Sequence, residues 1–421
     1  MQTRRSGGRT YRPEKIEEKL SNKVQFMRLT KSIFNLDAEK LPRRQYKYLY
    51  KKMLQEEIIR MAWRELRKGK TKRKAVKDID ANLDAEVVKM QEMIRNTKPP
   101  ECKVGHPELA YDPPVVRPSK IVNEHGKRRI AHIADIREQW YFHIIVLVLK
   151  PIVMKRIGRY SCGSIPWRGA HSGKKHIEKI IKREKNIRYF LKSDIRHFYD
   201  NLRIDIVIRE LRNDIVDEWF LYCIAKIYKY IPKGVLIGLY ISPWLANYVL
   251  WRVDYMIEHT SGVRGNRYMD DTVIFGNSKK GLAKLLAAIR IELGRLRLKL
   301  KRTYQVCLFD KQGRGRPLDF MGFLFFRNRT LMRKKIMLST TRTASRLCRA
   351  KENGRRYYSR MIRGFISRLG WFNHTNSYNC YLKYIKPFVS VRKLKQIISK
   401  LDKERSKNER MANRVLCGTA C

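Results

Sequence analysis

The sequence predicts an α+β chain in which basic helical flanks enclose a sheet-bearing middle. Three observations carry this prediction. "YLYKKMLQEEIIRMAWREL" (48–66) and "NLDAEVVKMQEMIRN" (82–96) place apolar residues at helical spacing. "IRYFLKSDI" (187–195) alternates apolar and polar residues as a strand does, and "RYMDDTVIF" (267–275) reads as strand, turn, strand. Beyond about residue 326 the pattern turns helical and basic again, with aromatics interleaved in "RGFISRLGWFNHTNSYNCYLKYIKPF".

Taken in order, residues 1–12 read as a basic arm, and Pro13 to Asn96 as helices dense in charge. "TKPPE" (97–101) breaks that pattern, and "DPPVVRPSK" (112–120) reads as extended chain. "EHGKRRIAHI" (124–133) predicts a hairpin turn at Gly126 leading into a strand, and a helix follows over 136–157. "RYSCGSIPWRGAHSGKK" (159–175) is a glycine-bearing loop with another helix behind it. After the strand at 187–195 come two apolar helices, the second starting after "YISP" near 243, where Ser242 suits an N-cap and Pro243 a first-turn position. No internal repeat or low-complexity tract is present. These shifts divide the chain into a basic helical extension (1–100), a mixed middle (101–325) and a basic helical region (326–421).

The 421 residues suffice for two or three domains with a real core. Lys and Arg outnumber Asp and Glu by 94 to 39, a formal net charge of +55. Cationic side chains in that excess point to a polyanionic partner, because they release counterions when they neutralise phosphates. An anionic membrane fits less well, since the charge runs through the whole chain and not along one amphipathic helix. The apolar run "FHIIVLVL" (142–149), ended by Lys150 and Pro151, is too short for a bilayer and reads as a buried helix. The beginning, "MQTRRSGGRTYRPEK", has no apolar signal core. Eight cysteines without C-x-x-C spacing suggest neither zinc nor a disulfide framework, and a reducing cytoplasm is expected.

Asp270 and Asp271 fall at a tight turn between "GNRYM" and "TVIF". An Asp pair alone usually marks a turn. Asp194, however, closes the strand "YFLKS", and an acid at the end of a buried apolar strand needs a partner or a metal. Three carboxylates at strand ends in so basic a chain suggest a hard-cation site, for which Mg²⁺ is suited because it takes a few carboxylates and keeps positions open for phosphates. Two such ions about 4 Å apart can activate a 3′-hydroxyl and stabilise leaving pyrophosphate.

The ordered set "SDIRHFYDNL", "IGLYISPWLANYVL", "RYMDDTVIF" and "LDFMGFLFF" resembles the prokaryotic reverse transcriptases of group II introns and diversity-generating retroelements, over roughly residues 40–400. The resemblance implies a right-hand polymerase: fingers and a palm with an antiparallel sheet over 101–325, a helical thumb over 326–421, and the N-terminal extension holding RNA or docking an accessory protein. It implies an RNA-directed DNA polymerase using two Mg²⁺ ions, with Mn²⁺ as a substitute, held by Asp194, Asp270 and Asp271. Its partners would be a structured RNA as template or non-coding component, a DNA primer and its cDNA, and dNTPs. Tyr199 matches the aromatic beneath the incoming sugar that excludes a 2′-hydroxyl, and Tyr268 joins the substrate-binding set. Gly238 matches a glycine that lets backbone approach the template–nucleotide pair, as a residue without Cβ can. Lys127 and Arg129 match residues that clamp the triphosphate. Lys301, with Lys299 close behind, is the candidate general acid for pyrophosphate, and Phe320, Met321 and Gly322 match the hairpin that grips the primer end. Of the thumb aromatics, Trp371, Phe372 and Tyr378 are expected mostly to fill the helix core.

The motif around Gly238 is mixed. Intron enzymes typically carry Gln before this glycine, whereas Ile237 here is as in retroelement enzymes; those usually continue Ser-Gln, whereas Ser242-Pro243 is as in intron enzymes. The stretches "TYQVCLFDKQGRGRPLDFMGF" and "LGWFNHTNSYN" look more like the retroelement side, and no H-N-H endonuclease or fused accessory domain is visible. The reading favoured is a reverse transcriptase of a diversity-generating retroelement. Antiphage defence, intron mobility, a non-enzymatic RNA-binding maturase and an RNA-templated RNA polymerase are the alternatives; the intact aspartates argue against the maturase and Tyr199 against the RNA polymerase. An aliphatic Ile237 offers no hydrogen bond near the template base and implies relaxed nucleotide selection. Ile237→Gln should therefore alter misincorporation opposite template adenine; an unchanged error spectrum in a sequenced extension product would refute the assignment.

Overall fold

The computed structural model describes residues 45–102, 105–124, 127–231, 233–310, 314–354 and 359–418. The basic arm and Gly126 lie outside them, as does the helix expected before residue 45. Among the described residues, helices dominate and the strands form sheets of two, four and three strands, so the chain is α+β as predicted. It divides into two compact units: Met1–Gly169 with Leu191–Val306, and Ala170–Phe190 with Cys307–Cys421.

The first unit begins with four helices, α1 (Leu49–Met53), α2 (Glu56–Arg67), α3 (Lys74–Ala81) and α4 (Leu83–Asn96). The helical stretch expected over 48–66 breaks at Leu54 and Gln55, whereas that over 82–96 forms as one helix. α1 and α2 pack on α5 (Ile136–Arg156), while α4 packs on α2 and α3; α5 is buried nearly all round, as its continuous apolar run requires. Asp135 caps α5 by accepting from the Glu138 backbone N–H at 2.8 Å. The helix does not stop at Pro151 but carries it to Arg156. Trp140 packs on Trp63 with ring centroids 4.9 Å apart and donates its indole N–H to the Ile59 carbonyl at 2.8 Å. Among the described residues no helix is long and apolar enough to cross a membrane.

Next comes the antiparallel hairpin β1 (Ser119–Glu124) and β2 (Lys127–His132), in register from Ser119–His132 to Glu124–Lys127. The central sheet has the order β4-β5-β3-β6, with β3 at Tyr189–Ser193, β4 at Val263–Tyr268, β5 at Asp271–Gly276 and β6 at Gln305–Leu308. β4 and β5 pair antiparallel from Val263–Gly276 to Tyr268–Asp271, leaving Met269 and Asp270 as a two-residue turn. α6 (Ala170–Arg183) belongs to the second unit. In the first, α7 (Phe198–Asn201), α8 (Ile204–Leu211) and α9 (Glu218–Lys226) follow β3. α10 (Ser242–Val249), α11 (Trp251–His259) and α12 (Lys279–Arg295) complete it, with α11 and α12 packed on β4 and β5. Ser242 is not the N-cap. The helix already includes it, Ile241 takes the cap position, and the Ser242 hydroxyl bonds the buried Tyr228 hydroxyl at 2.8 Å. Pro243 does sit in the first turn.

The second unit joins α6 to a three-stranded sheet, β7 (Leu318–Phe320), β8 (Phe323–Phe325) and β9 (Thr330–Met332). Four helices follow: α13 (Lys334–Glu352), α14 (Ser359–Asn373), α15 (Tyr378–Tyr384) and α16 (Val391–Gly418). Their core is Ala344, Leu347, Ile362, Phe365, Phe372, Ile385 and Leu394 with Met332. Phe372 fills this core and Trp371 packs against it, but Tyr378 is 61% exposed, its ring stacked on Tyr381. Of the eight cysteines, the six among the described side chains, Cys102, Cys162, Cys223, Cys307, Cys348 and Cys380, are free.

Trp140→Ala removes one of the two tryptophans packed between α2 and α5. It should cost about 3–5 kcal/mol, read as a lower urea midpoint at unchanged slope.

Candidate active site

Asp194 follows β3 and is pinned by backbone pairing on both sides. Its carbonyl accepts the Lys301 N–H at 2.8 Å, the Arg196 N–H donates to the Lys299 carbonyl at 2.8 Å, and Ile195 bridges Leu300. The same pairing delivers the Lys301 ammonium to Asp194 Oδ2. Lys299 is exposed and contributes only its backbone to this pairing. Asp194 Oδ1 is buried, and no hydrogen-bond donor among the described residues reaches it.

Asp270 sits in the β4–β5 turn. Burial, then the charges of Asp194 and Asp271, push its carboxyl up to about 7. Met269 beside it adopts φ +56, a left-handed conformation costing a non-glycine residue about 1–3 kcal/mol. Surrounding contacts hold that turn. The buried Arg267 guanidinium donates to both oxygens of Asp254 at 2.6 Å, to Asn247 Oδ1 at 3.0 Å and to the Met269 carbonyl at 2.8 Å. Asp254 also accepts from the Ser161 hydroxyl at 2.6 Å and the Gly158 N–H at 3.0 Å. The 160–162 segment runs beside β4, the Cys162 N–H donating to the Arg267 carbonyl at 2.6 Å. Gly163 then meets Met269 so closely that a Cβ there would lie 2.9 Å from Met269 Cγ.

These groups border a cavity of about 850 Å³ whose wall includes Asp270 and Lys301. β2 supplies Arg128, Arg129, Ile130 and His132; the turn of α7 supplies His197, Phe198, Tyr199 and Asp200; the loop after α9 supplies Lys233, Val235, Leu236 and Ile237. That loop is tied to the others by backbone bonds, from the Val235 N–H to the Tyr199 carbonyl at 2.9 Å and from the His132 N–H to the Ile237 carbonyl at 2.8 Å. Gly238 has φ +107, and a Cβ on it would lie 2.3 Å from the His132 carbonyl oxygen. Its lack of a side chain thus serves backbone packing against β2.

Of the residues expected to act together, Arg129, Tyr199, Ile237, Asp270 and Lys301 line this one cavity, with Asp194 against Asp270 and Lys301. Tyr268 and Asp271 end β4 and begin β5 and do not line it. Asp271 lies near enough for its charge to act on Asp270, yet among the described residues no three acidic, histidine or cysteine side chains gather as a metal cluster. Lys127 lies in β2, its side chain outside the described residues. Phe320, Met321 and Gly322 form a β7–β8 hairpin in the second unit, where Met321 takes φ +50, Gly322 takes φ +86, and a Cβ on Gly322 would strike the Trp371 ring at 2.6 Å. Sequence reading missed Arg128, Lys233 and above all Arg267. The sequence carried no local signal for Arg267, the fifth residue of the strand VRGNRY.

The donor set suits a hard divalent cation. Two carboxylates converge, one buried oxygen lacks a donor, and such a cation is commonly bound through one or two carboxylates plus substrate phosphates.

Residues 118–324 match the family model for reverse transcriptase (RNA-dependent DNA polymerase). That match spans just under half of the chain. It is also 28% identical over 144 residues to an uncharacterized 91 kDa protein in the cob intron of Schizosaccharomyces pombe, a match covering 32% of this chain and 18% of that relative's length. Among solved structures it is similar to apo telomerase from Candida tropicalis, with TM-score 0.39 and 13% identity over 50% of this chain and 47% of the other. Telomerase from Candida albicans with a TWJ fragment of telomeric RNA gives TM-score 0.40 and 10% identity over 64% and 55%.

A carboxyl raised in the folded state binds its proton more tightly there than in the unfolded chain. Its contribution to stability is therefore present at low pH and is lost as pH rises from the ordinary aspartate range through about 7. In EDTA-containing buffer, Asp270→Asn should raise the urea midpoint at pH 8, and the gain should shrink as pH falls towards 4; a gain independent of pH would refute the electrostatic account.

Proposed function

We propose that this chain is an RNA-directed DNA polymerase, making cDNA on an RNA template from a DNA primer within a ribonucleoprotein of the retroelement kind. The observation that carries the reading is the meeting of Asp194 with Asp270, which lines a basic cavity, with one Asp194 oxygen left without a donor among the described residues. Asp194 and Asp270 would hold Mg²⁺, with Asp271 completing the set for a second ion once substrate is bound. When bound, the metal supplies activation of the primer 3′-hydroxyl and charge stabilisation of the leaving pyrophosphate.

The chain's own residues do the positioning. Arg128, Arg129 and Lys233 line the cavity and set fixed positive charge where a triphosphate would lie. Lys301 lines the same cavity while paired with Asp194, and it is the candidate proton donor to the leaving group. Tyr199 lines the cavity, its backbone bonded to Val235, and would lie under the sugar and obstruct a 2′-hydroxyl. The helical second unit would act as thumb and the Phe320–Gly322 hairpin as primer grip. The intron-borne relative favours a second reading, an intron-type enzyme.

Primer extension on an RNA template separates these roles. The wild type should extend with dNTPs and scarcely with rNTPs. Asp270→Ala Asp271→Ala should abolish extension, and Tyr199→Ala should raise rNTP use roughly tenfold or more, a loss of about 1.4 kcal/mol of discrimination. Extension that survives loss of both aspartates would overturn the proposal.

A further inference from the structure

The 163–168 loop presents a tryptophan that no contact within the chain requires. Trp167 is 97% exposed and has φ +67, a conformation that L side chains rarely adopt. The loop is nonetheless tightly built. Ile165 and Arg168 pair antiparallel, with the Arg168 N–H on the Ile165 carbonyl at 3.1 Å, so that Pro166 and Trp167 form the corner. Proline second and positive φ third is the pattern of a type II turn, whose third position ordinarily carries glycine. The Gly163 N–H donates to the Arg168 carbonyl at 3.0 Å, and the Arg168 guanidinium donates to the Gly158 carbonyl at 3.0 Å. The base of the loop is continuous with the catalytic turn, through Gly163 against Met269 and the Asn247 amide on the Gly163 carbonyl at 3.1 Å. A rigid mount of this kind holds a large apolar ring in water next to the polymerising site.

The surroundings indicate what would cover it. No Asp or Glu occurs between Glu138 and Glu178, a stretch that carries Lys150, Lys155, Arg156, Arg159, Arg168, Lys174 and Lys175. Arg159 is exposed, with its guanidinium over the Tyr160 ring. Aromatic rings interleaved with guanidinium groups are what single-stranded nucleic acid is held by, the bases stacking and the phosphates paired. We propose that Trp167 is a stacking platform for an unpaired base of RNA, with Arg159 and Arg168 taking the adjoining phosphates. This rests on the reading of the chain as an RNA-templated polymerase and adds to it a contact point for the single strand outside the cavity.

The test is equilibrium binding of a mixed-sequence single-stranded RNA oligomer to the full chain, beside a duplex of equal length. Trp167→Ala and Trp167→Gly should weaken single-strand binding roughly 5- to 100-fold, while Trp167→Phe stays within about threefold, because stacking needs a ring and not indole in particular. Glycine suits the positive φ, so Trp167→Gly should keep or raise the urea midpoint, which separates lost binding from lost folding. Single-stranded RNA should also quench emission that Trp167→Phe lacks. Unchanged affinity in both Trp167→Ala and Trp167→Gly would overturn the platform, as would equal losses for duplex and single strand; the first result would leave a protein partner for the ring. If the wild type bound no RNA and extended no primer, the polymerase reading itself would fall, whereas extension by a wild type indifferent to residue 167 removes the platform alone.

Discussion

The buried pairing of Arg267 with Asp254 is the interaction on which the site depends. Both side chains are almost wholly withdrawn from water, and both carboxylate oxygens are engaged by the guanidinium. Removing either partner would strand a charge in the interior, a change that typically costs about 3–5 kcal/mol. The arrangement does more than neutralise. A single guanidinium joins β4 to α11 through Asp254, to α10 through Asn247 and to the turn through the Met269 carbonyl, while Asp254 takes in the 158–161 segment. The unfavourable backbone of Met269 is held by this frame, and Asp270 is thereby fixed in the cavity wall.

Other buried acids in the first unit show what is different about Asp270. Glu138 faces Arg117, and Asp214 accepts from Arg156 Nε at 2.7 Å. Each carries its counter-charge within the fold. Asp270 instead has acids for neighbours, and the lysine nearby is committed to Asp194. In a chain with so many guanidinium groups available, leaving a carboxylate pair short of positive charge is a local exception, and it coincides with the cavity lined by Arg128, Arg129 and Lys233.

Much of this was legible in the sequence because the signals were local. Alternation marked β3, the Asp pair between β-branched and aromatic residues marked the β4–β5 hairpin, and the unbroken apolar run of α5 announced a helix buried on all sides. What escaped was set by tertiary contact. Gly238 is a glycine because His132, remote in sequence, approaches its backbone. Ser242 gives up capping for Tyr228. Tyr378 looked like one more core aromatic, but its place in α15 leaves it to solvent. Arg267 could not be told from the other basic residues without knowing that Asp254 waits opposite.

The chain passes from one compact unit to the other three times, at the start of α6, within β3 and again within β6, and the second unit is assembled from residues 170–190 and 307 onward. A discontinuous unit of this kind has no single hinge at which scissors could separate it. Cutting the gene after residue 306 would remove the strands and helices that belong with α6 and expose Ile177 and Ile180, which are buried in the intact chain. The first unit is therefore not detached by trimming an end alone, and a shortened form of this protein also needs a linker spliced across the 170–190 excursion.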